Sequence, residues 1–104
     1  MTAAEVKAKI HAEIGDRWAF KNAHGVDLRT CLVEPELREY CDWQEKTIPE
    51  RLWLVLEEHP KERDGYSIIY DEQLNRFGLA MHTTKGQDMC IGFYGSFMET
   101  LEGM

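Results

Sequence analysis

The chain has 104 residues, 43% of them apolar and 30% charged, which is the composition of an ordinary globular domain and excludes a disordered or fibrous one. Its net charge of −7 works against binding nucleic acid or an anionic membrane, since both call for a basic surface. No apolar run nears the roughly 18 residues of a membrane helix, and the first fifteen residues carry charge every few positions, unlike a secretory leader.

The three cysteines, Cys31, Cys41 and Cys90, are odd in number and widely spaced, which suits a reducing compartment. A cytoplasmic location is expected. The charge is uneven along the chain. Residues 1–30 carry five basic side chains against four acidic, residues 31–64 five against ten, and residues 65–104 two against five.

Thr2 followed by Glu5 forms a capping-box pattern, so a helix is expected to start there. Val6, Ile10 and Ile14 recur every four residues as its apolar stripe, and Gly15 is the natural stop. From Asp16 the period changes. Trp18 and Phe20 alternate with polar neighbours, residues 22–25 have turn composition, and Val26 to Val33 reads as a strand, which predicts a hairpin.

Pro35 ends that strand, and a proline at a first helical position allows a short helix from Pro35 to about Tyr40, with Leu37, Tyr40 and Cys41 on its inner face. Pro49 blocks continuation into the next element. Arg51 to Leu56 is the most apolar run, and its shortness predicts a central strand covered on both faces.

Tyr66–Tyr70 and Arg76–Met81 follow as a hairpin, with Gly78 marking a bulge or a close approach. Met89 to Tyr94 adds a last strand, and Ser96 with Glu99 caps a final helix that turns Phe97, Met98 and Leu101 inward. This order predicts an α+β fold in one domain over residues 1–104: a mainly antiparallel sheet of five or six strands, an N-terminal helix and a short C-terminal helix. Connections between the strands are mostly too short for parallel crossovers.

No motif assigns an activity. Glycine-rich phosphate loops are absent, the scattered histidines fit no zinc spacing, and no cofactor is expected. Two readings of different class follow.

The first is a non-enzymatic interaction module. Tyr40, Asp42 and Trp43 place aromatics among acids, and Glu57, Glu58, Glu62 and Asp64 extend an acidic face suited to a basic protein partner. The second is a small-ligand binder or minor enzyme, with His82, Cys90 and Tyr94 at the mouth of a pocket at one strand end. A small sheet is also expected to leave an edge strand free, which would permit a homodimer.

Overall fold

The computed structural model describes residues 1–22, 25–42, 50–81 and 88–104, and the backbone alone of Asp42, Glu50, Asp64 and Asp88. Helix α1 (Ala3–Ile14) is followed by the short helix α2 (Leu28–Cys31), strands β1 (Leu32–Asp42), β2 (Glu50–His59), β3 (Asp64–Asp71), β4 (Arg76–Met81) and β5 (Asp88–Gly95), and helix α3 (Phe97–Gly103). The architecture is α+β, as the sequence predicts. None of the described helices is long and apolar enough to cross a membrane.

Both capping patterns form. Thr2 accepts from the Glu5 N–H while the Glu5 carboxylate accepts from the Thr2 N–H, and Ser96 accepts from the Glu99 N–H. Gly15 ends α1 with φ of 60°.

Two sequence expectations fail, each for a local reason. Among the described residues of 16–33 no hairpin forms, because the Asp27 side chain accepts from the Arg29 N–H and starts the single helical turn of α2. Only an isolated bridge between Lys21 and Asp27 remains of the predicted pairing. The expected helix from Pro35 to Tyr40 is instead the middle of β1. Pro35 sits where the β1–β2 register slips between Leu32 and Glu36, a place where its missing N–H costs no ladder bond.

The five strands follow one another around a closed barrel. Four neighbouring pairs are antiparallel, and β1 and β5 close the ring in parallel through Tyr40 with Asp88, Cys41 with Met89 and Asp42 with Cys90. Every described strand therefore has two neighbours, although across the closing seam the pairing covers only Tyr40–Asp42 of β1 and Asp88–Cys90 of β5. The free edge expected as a route to a dimer is thus reduced to the remainder of those two strands.

The two faces of the barrel wall carry separate cores. Tyr40, Leu52, Ile69 and Ala80 cluster with Cys90 and Phe93, one or two residues from each of the five strands and none from a helix. Such a cluster can only fill the lumen. On the outer face Trp53, Val55, Leu56, Ile68, Tyr70, Phe77 and Leu79 pack beneath Val6, Ile10 and Ile14 of α1 and Phe97, Met98 and Leu101 of α3. The Phe77 ring meets Tyr70 at 4.6 Å and Phe97 at 5.7 Å between centroids. Glu13 of α1 accepts from the Met98 N–H at 2.6 Å and so joins the two helices.

Tyr70 makes this outer core sensitive to alkali. Its hydroxyl donates to Asn75 Oδ1 at 2.9 Å, and burial, aided by the nearby Glu72 and Asp71 carboxylates, raises its pKa above the ordinary 10.0. Above about pH 10 the unfolded chain releases this proton while the folded one retains it, so stability should be intact below that pH and fall as pH rises through the folded-state pKa. Chemical denaturation at stepped pH checks this: Tyr70→Phe should flatten the decline, and an unchanged slope in the variant would assign the loss elsewhere.

Candidate functional site

Strand pairing decides which of the sequence-named residues can act together. Tyr40 lies opposite Glu50, the first residue of β2, whereas Glu57 and Glu58 are near its other end. At about 3.3 Å per residue these positions are some 25 Å apart along the strand. The acidic face read as continuous in the sequence is therefore split between two ends of β2. Trp43 and His82 lie outside the described residues, and Asp42 and Asp64 are placed by backbone alone, as the last residue of β1 and the first of β3.

Two of the named side chains do not face solvent. Tyr40 is in the lumen. Glu57 is only 1% exposed and ion-pairs with Arg63 Nη2 at 2.8 Å, while the same guanidinium reaches Glu36 at 3.6 Å. Partial burial pulls the Arg63 pKa down, but the Glu57 and Glu36 carboxylates more than reverse this, and the net shift is upward.

Glu57 pairs with Ser67 beside the β2–β3 turn, so this cluster closes the barrel end at that turn. At the end by the β3–β4 turn Asp71 plays the matching part, with Arg76 Nε at 3.4 Å and the Arg76 guanidinium stacked 3.7 Å from the centre of the Phe93 ring.

The ligand reading is not gathered by the fold either. Cys90 belongs to the lumen cluster, while Tyr94 is 44% exposed and lies beside Gly103 of α3 on the outside. Hollows lined by described residues lie elsewhere. One of about 150 Å³ lies between α1 and the start of β1, lined by Lys7, Ile10, His11 and Glu34 among others, and one of about 330 Å³ lies at the β2–β3 rim by Arg51, Leu52, Asp71 and Gln73. Neither includes Cys90 or Tyr94. Among the described residues no three His, Cys, Asp or Glu side chains form a metal-binding group.

Among the described side chains, what remains accessible of the acidic face is the β2–β3 turn. Glu62 is exposed there, and Glu58 Oε1 accepts from the Tyr66 N–H at 3.2 Å. Tyr66 is itself 40% exposed, so an open aromatic residue follows this acid-bearing turn. Gly65, with φ of 77°, allows the close approach, because a Cβ there would meet the Glu58 carboxylate at 2.6 Å.

In the sequence Tyr66 shares period two with Ile68 and Tyr70, which places it on an apolar face and gives no sign of its exposure. Only the extent of the helices shows that this face is uncovered at Tyr66. No protein-family model matches the chain, and neither a curated protein nor a solved structure does.

Proposed function

We propose that this protein is a small acidic interaction module that binds a protein partner through a basic surface of that partner. The observation that carries the reading is Tyr66, a solvent-facing aromatic whose backbone N–H donates to the Glu58 carboxylate, at the end of a turn that also carries exposed Glu62, in a chain of net charge −7. Tyrosine supplies a large, stiff contact area that retains a polar tip, and carboxylates around it speed encounter with a cationic surface and reject an anionic one. Lys61 on the same turn and the Arg63–Glu57 pair moderate the field without reversing the overall charge.

Charge reversal tests the reading. A partner retained by the tagged protein in low salt should be released as salt rises, because exposed charge pairs are screened within about 10 Å at 0.1 M. The double variant Glu58→Lys, Glu62→Lys should weaken that partner at least tenfold, about 1.4 kcal/mol. Its unfolding temperature must stay near the parent's for the comparison to count, and the single variant Glu62→Lys, which leaves the Tyr66 N–H bond intact, serves as the milder check. Affinity indifferent to both reversals and to salt would remove the acidic turn from the interaction.

A further inference from the structure

The outer face of the barrel carries a partly exposed apolar row whose members are fixed by strand register. Tyr66 lies directly opposite Met81, Met81 opposite Met89, and Met89 opposite Cys41 across the closing parallel pair. Residues directly opposite in a ladder project to the same side, with strands about 4.8 Å apart, so the row crosses β3, β4, β5 and β1 over roughly 14 Å. On β1 the same face continues at Leu37, four residues before Cys41.

Tyr66, Met81 and Leu37 are 40%, 39% and 38% exposed, and Met89 and Cys41 are half-buried. The next outer-face residues along β3 and β4, Ile68 and Leu79, are buried in the core shared with the helices. The helices thus cover the outer face up to this row and stop.

Contiguous apolar surface of this kind marks a docking site more often than chance, and methionines adapt to varied partners. The charges around the row say which partner. At the β3 end stand Glu58, in contact with the Tyr66 backbone, and Glu62; at the β1 end Glu39 is exposed and lies between Leu37 and Cys41 on the same face. Arg51, opposite Glu39, and Lys61 are interspersed there, as is Arg63, whose guanidinium is already paired with Glu57 and Glu36.

From this pattern we infer that the row Tyr66–Met81–Met89–Cys41 is the docking surface for an amphipathic basic segment of the partner. Apolar side chains of that segment lie across the methionines, and its flanking Lys or Arg residues meet Glu58 and Glu62 at one end and Glu39 at the other. The inference rests on the interaction-module reading and adds to it an apolar seat that charge alone does not require.

Two synthetic peptides of equal charge separate the claims: one alternating leucine and lysine, the other lysine and serine. Each is titrated into the full chain carrying labelled methionine methyl groups, and binding is read by NMR. The leucine peptide should bind at least tenfold more tightly, shift the Met81 and Met89 methyl signals, and lose at least tenfold in affinity in Met81→Asp.

Equal binding of both peptides without those shifts would overturn the apolar seat and leave the acidic reading standing. Binding of neither would overturn both. Sedimentation showing a dimer that Met81→Asp dissociates would give the row to a second copy of this chain and overturn the basic segment. Should Met81→Asp unfold, Tyr66→Ser replaces it, and the methyl shifts on the unsubstituted chain decide without a variant.

Discussion

Arg63→Ala should lower the stability of the protein by about 3 kcal/mol, the scale for removing one partner of a buried ion pair. Glu57 ends the lumen face of β2 at 1% exposure, and Arg63 reaches it from the β2–β3 turn at 2.8 Å. Arg63 is itself half exposed, so the pair is asymmetric: water can solvate the guanidinium, while the carboxylate depends on protein groups. Loss of the arginine therefore leaves the costlier charge behind. For a chain of this size the change corresponds to roughly 10 to 20 °C in unfolding temperature.

The backbone supplies an internal control. Arg63 has φ of 55°, a left-handed conformation that costs a residue with a Cβ about 1 kcal/mol. Arg63→Gly relieves that cost while deleting the same ion pair, so it should be about 1 kcal/mol less harmful than Arg63→Ala. Glu57→Leu combined with Arg63→Ala should recover much of the loss, because a buried pair replaced by apolar groups is often neutral. Denaturant titration of the four proteins checks the set, and a cost under about 1 kcal/mol for Arg63→Ala would mean that other groups hold Glu57.

The strands that could be read in the sequence are those whose residues are apolar for reasons independent of distant partners. Leu52 to Leu56 is apolar on both faces because one face fills the lumen and the other lies under the helices. Strand β1 was hidden because its lumen-side residues include Glu36 and Arg38 near the barrel rim and its outer residues include Glu39, which leaves no alternation to detect. Closure rests on three residue pairs of β1 and β5 more than forty positions apart, and nothing local encodes it.

The candidate site was legible as composition but not as geometry. Glu57 and Glu58 are adjacent in sequence, yet one belongs to the buried barrel end and the other supports Tyr66 at the surface. A one-residue step along a strand exchanges the faces, so a cluster of acids in a strand sequence cannot by itself define a surface.

Gly78→Ala is the second large effect, expected to cost about 2 to 3 kcal/mol by forcing apart two strands that are in close contact. Gly78 faces the lumen opposite Ile69 and Phe93, and the β4–β5 register slips beside it. A Cβ at this position would collide with the Gly92 carbonyl oxygen and come within 2.8 Å of the Phe93 ring. The first of these neighbours is backbone and cannot rotate away, and Phe93 is fixed beneath the Arg76 guanidinium.

The lumen has room for Tyr40 and Phe93 because β4, beyond Arg76 at its end, offers it only Gly78 and Ala80. Gly92 provides the contrast: it lies across from Leu79 on the neighbouring strand, a Cβ there meets nothing within 4 Å, and its φ is not positive. Gly92→Ala should therefore fall within about 0.5 kcal/mol of the parent, or stabilise slightly by restricting the unfolded chain. Thermal unfolding of the two variants side by side is the measurement. If they differ by less than about 1 kcal/mol, the wall between β4 and β5 yields more readily than this packing implies; if Gly78→Ala alone unfolds early, the small residues of β4 are what allow five strands to close around an aromatic lumen.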